Sequence, residues 1–255
     1  MRRFLILFFC VVCICFSAFA QDVKIVSVRG KVMVKKDPAA AWARAKATMV
    51  IGSQAEIKTD AKGECMLSFD DQMKNVLTIK GNSQVALQSI QPVSLNLAQG
   101  KVFALIDDIK RVEKFEIRTP TVVAGVRGTG ESVESNNRGS TVKCFADTVY
   151  VQGQGQEQAL TEGFGITGDE QGSLGARFGL SDTDMNEWRN FKGDTEQRRR
   201  DALRFGDGAN NPAGAGLGEL KGDRRDDYGD AVFENDRRVE KDRADGGSSG
   251  GYPGP

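Results

Sequence analysis

From Val23 onward the chain alternates apolar and polar positions in short runs broken by turn residues. Val23, Ile25 and Val28 precede Arg29-Gly30, and Val32 and Val34 follow. Asp60-Ala61-Lys62-Gly63 separates residues 55–59 from 64–69, while Asp70-Asp71-Gln72 and Lys80-Gly81-Asn82 bracket residues 76–79. Period-two alternation puts successive side chains on opposite faces of a strand. Strands recurring every 8–12 residues or so predict an all-β fold, as a sandwich, barrel or solenoid. Residues 93–98, Gln99-Gly100 and residues 101–106 read as a hairpin. Residues 39–47, built of Ala with Trp42, Arg44 and Lys46, read as a short helix or as a loop in which Trp42 covers an open end of the sheet.

After Gly168 the strand pattern stops. Ser181-Asp182-Thr183-Asp184 offers a helix N-cap with acidic residues in the first turn. Met185, Trp188 and then Phe191 or Lys192 recur at three- and four-residue spacing, which predicts one amphipathic helix, interrupted near Gly193. From Gly206 onward Gly, Asp, Arg and Asn dominate. Such a segment buries too little apolar surface to offset its ordering entropy, so it is expected to be disordered. The expected organisation is therefore a leader at 1–20, an all-β domain at 21–168, a linker and amphipathic helix at 169–205, and a Gly/Asp/Arg-rich tail at 206–255.

The leader is read from Arg2-Arg3, an apolar stretch over residues 4–16, and Ala18-Phe19-Ala20 as a small-x-small cleavage site before Gln21. An uncleaved anchor is the alternative, but the stretch is short for a span of about 20 residues. The expectation is a periplasmic or secreted protein, cleaved after Ala20 and not membrane-spanning. Cys10, Cys13 and Cys15 leave with the leader. Cys65 and Cys144 remain, and an oxidising compartment allows them to pair. A bridge between them would close a loop worth ~4 kcal/mol in the chain-entropy model; two separate buried thiols on different strands are the other possibility. The 35 basic and 35 acidic residues balance, so no basic field exists to attract nucleic acid.

The most informative stretch is residues 115–133, FEIRTPTVVAGVRGTGESV. Residues 115–118 read as a strand, and Pro120, lacking a backbone donor, holds Thr119 extended at a strand end. Gly125, Gly128 and Gly130 punctuate strand-favouring residues and suggest bulges or close backbone approach. Arg127 either braces the turn through carboxylate or carbonyl acceptors or meets an anionic partner. The string resembles the motif of the FecR domain, the extracytoplasmic module named after the ferric-citrate signalling regulator. Ile57-Lys58-Thr59 with Gly63, residues 66–69, Leu95-Asn96-Leu97 with residues 100–103, Val149-Tyr150-Val151 and residues 160–164 extend the resemblance over roughly 23–167. The motif positions Thr119, Pro120, Gly125, Val126, Arg127, Gly128 and Thr129 are accordingly structural or partner-binding. One departure is that Gly130 precedes Glu131 where the family runs from Gly-Thr into an acidic-aromatic or aliphatic strand, which puts the local register in question.

The chain has no histidine, which removes Ser-His-Asp and Cys-His arrangements and His-ligated zinc. Asp70-Asp71 and Asp107-Asp108 are adjacent acids, which point to opposite faces in a strand and do not converge. Asp182-x-Asp184-x-Asn186 lacks the Gly and Glu a calcium loop requires at its sixth and twelfth positions. Residues 125–130 lack the Lys-Ser/Thr end of a phosphate loop. Arg198-Arg199-Arg200, flanked by Glu196 and Asp201, reads as a solvated helix face. No cofactor is expected. FecR-like regulators carry a cytoplasmic sigma-factor-binding segment and a transmembrane helix ahead of this domain, whereas here the domain follows the leader directly. The resemblance therefore implies a non-enzymatic binding or scaffolding protein that contacts an envelope protein or surface component. Alternatives are a sensory component of an envelope signalling system acting in trans, and a carboxylate-based enzyme acting on polysaccharide.

Overall fold

The structure, a computed structural model, describes residues 23–206 apart from Glu113, Arg127 and Thr129. The leader with its cleavage site, the tail beyond Gly206, and motif positions Arg127 and Thr129 lie outside the described residues. The chain runs through β1 (Val23–Arg29), β2 (Val32–Lys35), β3 (Ala43–Arg44), β4 (Val50–Ile51), β5 (Glu56–Thr59), β6 (Glu64–Ser68), β7 (Asn75–Ile79), β8 (Gln84–Ile90) and β9 (Val93–Ile106). A single helical turn, α1 (Ile109–Val112), leads to β10 (Phe115–Arg118), β11 (Val123–Val126), β12 (Gly130–Asn136), β13 (Gly139–Ala146), β14 (Thr148–Gly153), β15 (Gln156–Thr161), β16 (Phe164–Gly168) and β17 (Phe178–Gly179). The helix α2 (Asp182–Gly206) follows.

These strands form two layers of one hydrogen-bonded system. The first layer runs β4-β1-β6-β7-β9-β12-β13-β16-β17, and the second β3-β2-β5-β8-β9-β10-β11-β14-β15. All pairings are antiparallel except β9 with β10. Alternation is the reason the layers pack. Ile25, Leu67, Leu77 and Val142 of the first layer and Ile57, Leu95, Ile117 and Val149 of the second belong to one buried cluster. The expected all-β architecture is present, with the strands layered as in a sandwich.

Strand β9 joins the two layers, and here the hairpin expectation is corrected. Residues 93–99 pair with β8 and β10, whereas 100–106 pair with β7 and β12. Gly100 sits at φ +99°, a conformation open to glycine, and bends the strand from one layer into the other without reversing it. Residues 39–47 are also not helical, containing only the two-residue β3. Trp42 lies there beneath the Lys58 ammonium, 4.6 Å from its ring centroid.

The helix covers the outer face of the first layer. Trp188 and Phe191 pack with Met66, Phe103, Leu105 and Phe145 in a second buried cluster. Phe145 and Trp188 stack at 4.9 Å with 6° between planes. The predicted cap forms reciprocally: Asp184 N donates to Ser181 Oγ at 3.2 Å, and Ser181 N donates to Asp184 Oδ2 at 3.1 Å. The interruption expected at Gly193 does not occur, because Trp188, Phe191 and Thr195 are buried on either side of it and tertiary packing outweighs the ~1 kcal/mol cost of a helical glycine. Arg199 departs from the solvated-face expectation. Its Nε donates to the Met73 carbonyl at 2.7 Å, and it pairs with Asp107 at 2.7 Å, fastening the helix to the sheet.

Candidate functional site

The Thr-Pro pair that opens the motif is a clasp between the layers. Pro120 cannot donate, and Thr119 Oγ1 satisfies the turn by accepting from Val122 N at 2.9 Å. Thr119 N in turn donates to the Val122 carbonyl at 2.9 Å. Thr121 Oγ1 donates to Ser140 Oγ at 2.8 Å, and Ser140 Oγ to Thr119 Oγ1 at 2.8 Å. Ser140 belongs to β13 of the first layer, so three hydroxyls tie the β10–β11 turn to the opposite sheet. Thr119 is thereby bonded within its turn and, through Ser140, to the opposite layer.

The motif glycines serve three different ends. Gly128 has φ +74°, which side-chain-bearing residues rarely adopt. Gly130 is extended, but a Cβ there would lie 2.2 Å from the Trp188 ring, so the helix requires a bare backbone at this point. Gly125 is different. It sits in regular register between Glu116 and Tyr150, and an added Cβ would meet only the Tyr150 carbonyl at 3.9 Å. Neither the bulge nor the internal close approach expected from sequence is found at Gly125. Val126 is buried in the main cluster.

The register question raised by Gly130-Glu131 has a definite answer. The β12–β13 ladder shifts between Gly130 and Glu131, which pair with Ala146 and Cys144 and leave Phe145 as the extra residue. Glu131 points inward, on the same face of β12 as the core residue Val133 and in a row with Ala104 and Cys144. It is fully buried, and neither carboxylate oxygen has a hydrogen-bond partner. Burial pushes its pKa up to about 8. Sequence reasoning missed this residue, although its period-two spacing from the apolar Val133 was a signal that could have placed it on the core face.

Cys65 and Cys144 are free thiols, both buried, so the possible disulfide is not formed. They lie on β6 and β13 of the same layer, with β7, β9 and β12 between them. At ~4.8 Å per strand the separation is far beyond the ~7 Å Cα limit for a bridge. Burial, reinforced by the neighbouring Glu64 charge, raises Cys65 to about 12. Burial also raises Cys144 to about 11, opposed by a backbone hydrogen bond at Ala146 and reinforced by the charge of Glu131.

Two grooves flank the motif. One, of about 520 Å³, lies between the first layer and α2, with Phe145 and Trp188 in its wall and Gly128 and Gly130 at its side. The other, of about 500 Å³, opens on the outer face of the second layer. Its central row runs Glu116, Gly125, Tyr150, Ala159 across β10, β11, β14 and β15. Gln152 and Glu157 pair in the neighbouring row and also line it. Tyr150 is 40% exposed. Partial burial raises the Glu116 pKa, but hydrogen bonds from Lys114 and Arg118 outweigh it and leave the carboxyl below its usual range. The Arg118 guanidinium lies 2.9 Å from Glu116. Among the described residues, no three His, Cys, Asp or Glu side chains are placed to hold a metal, and no helix is long and apolar enough to cross a membrane.

The family model described as FecR protein matches residues 55–150, so the chain carries a FecR domain over that stretch, as the motif resemblance suggested. No curated protein matches. Two crystal structures of a candidate anti-sigma factor from Parabacteroides distasonis ATCC 8503, at 1.65 and 2.50 Å, are similar at 15% and 14% identity. Each has a TM-score of 0.44, with 52% of this chain and 63% of the other covered. The match thus spans less than two thirds of the length of those structures.

Proposed function

We propose that this FecR-domain chain, exported and cleaved after Ala20, is a non-enzymatic binding module of the cell envelope. In this reading it engages an envelope protein or surface component through the outer face of its second layer. The carrying observation is the asymmetry between the two faces of the motif. Gly130 is filled from within by Trp188, whereas Gly125 lies open beside an exposed Tyr150. A glycine inside a strand weakens it by roughly 0.5–1 kcal/mol relative to Ala, and an open one often marks the approach of a ligand or another chain. The FecR family match supports placing this binding on the sensory side of envelope signalling. Affinity capture from the native envelope with the full chain as bait tests the proposal. Specific capture that is lost with Tyr150→Ala is expected; equal capture by both proteins would remove the groove from the function.

A further inference from the structure

The chemistry of the open groove narrows what it holds, given the binding-module reading above. Glu116 and Tyr150 stand on β10 and β14 with only β11 between them. Two strand spacings of ~4.8 Å place them about 10 Å apart. Between them the floor is the bare backbone of Gly125. Beyond Tyr150 the next residue in the row is the small Ala159, so bulky neighbours do not crowd the phenol ring from either side.

This slot suits a flat ring standing against the aromatic face. A ring stacked at ~4 Å van der Waals distance from Tyr150 stands over Gly125, on the side of the slot that Glu116 lines. Gln152 supplies both donors and acceptors, Glu157 supplies acceptors and Lys114 supplies donors. Charge selects further. The carboxylate of Glu116 is already neutralised by Lys114 and Arg118, so it offers little to a cation. With Glu157 the two acids of this face match the two cations Lys114 and Arg118, so the groove carries no net field to draw in a phosphate or carboxylate. The remaining candidate has one apolar face and a rim of neutral hydroxyl groups. The groove volume, about 500 Å³, falls in the range typical of small-molecule sites, ~300–1,000 Å³.

We infer that the groove over Gly125 is a binding site for a neutral saccharide ring of an envelope glycan, stacked on Tyr150 and hydrogen-bonded by Glu116 and Gln152. The occupant stays intact, since the role of the site is recognition.

Isothermal titration of the full chain with cellohexaose, maltohexaose, mannohexaose and chitohexaose tests this. Saturable binding of at least one is expected. Tyr150→Ala and Gly125→Val should each weaken that binding at least ten-fold, the first by removing the platform and the second by filling the floor. Tyr150→Phe keeps the stacking surface and should retain binding within about two-fold. Folding of the variants is read from melting. The space around Gly125 admits a side chain, so Gly125→Val should melt no lower than the parent. Should it fail to fold, Tyr150→Ala, at an exposed position, carries the test alone. A flat titration with all four sugars overturns the saccharide assignment, as does binding that Tyr150→Ala leaves unchanged. If the sugars fail while envelope capture still depends on Tyr150, the binding-module reading survives with a different occupant, such as a proline-rich peptide. If both fail, neither stands.

Discussion

Replacing Glu131 by Gln should flatten the dependence of stability on pH between about 5 and 8.5. The carboxyl is fully buried and without a hydrogen-bond partner, and burial raises its pKa from 4.5 to about 8. The folded state therefore holds a proton that the unfolded chain releases at lower pH. The stability linked to that proton is fully present below pH 4.5 and is lost as pH rises through about 8. At about 1.4 kcal/mol per pH unit, the loss over the whole window is on the order of 5 kcal/mol. That is a large part of the 5–15 kcal/mol or so that holds a typical domain together. Other shifted groups act outside the window. Burial pushes Asp184 up, but Lys143 and Ser181 outweigh it and bring the carboxyl down to about 2, so its contribution is lost only in acid. Cys144 titrates near 11. Glu131→Gln keeps the shape and the unpaired polar group but removes the proton. Urea denaturation at half-unit steps of about 0.5 from pH 5 to 8.5 should show the parent losing several kcal/mol while the variant stays nearly level. At pH 5 the two should differ by no more than roughly 1–2 kcal/mol. Parallel pH profiles for the two proteins would refute the reasoning, because they would mean that Glu131 is ionised and compensated in the fold.

Gly130→Ala should cost at least ~2 kcal/mol through the clash with Trp188, and Trp188→Ala in the same chain should make the second substitution nearly free; additive losses in chemical denaturation would contradict this contact. Gly128→Val should cost more than the ~1 kcal/mol of an average substitution because of its positive φ, which melting measures directly. Ser181→Ala should lower stability by about 0.5–2 kcal/mol through loss of the reciprocal cap, and unchanged helix content and melting would count against it. Cys65 and Cys144 should resist labelling in the folded protein and react fully once it is unfolded without reductant, as free buried cysteines do; no labelling of either in denaturant would indicate a bridge. N-terminal analysis of envelope-derived protein should find Gln21 first.

Local chemistry made much of this molecule legible from its residues. Alternating Val, Ile and Leu announced the strands, Ser181 and Asp184 announced the start of the helix, and Met185, Trp188 and Phe191 marked its sheet-facing side, because period and capping are properties of neighbouring residues. The motif from Phe115 to Val133 also identified the FecR domain from its own letters. Pairing between distant strands was not legible, because alternation reports which face a residue takes and says nothing about its partner. Residues 93–106 have hairpin chemistry at Gln99-Gly100, yet become one strand because each half finds different neighbours. The same limit hid the separation of Cys65 from Cys144. Glu131 is the sharpest case: alternation puts it on the same face as Val133, but only the pairing with Ala104 and Cys144 makes that face the core and leaves a carboxyl buried there. Gly125 and Gly130 read alike in the chain, and only packing separates them. The tertiary structure brings Trp188 against one and leaves Tyr150 exposed beside the other, because what fills the space above a glycine comes from parts of the chain that local sequence does not specify.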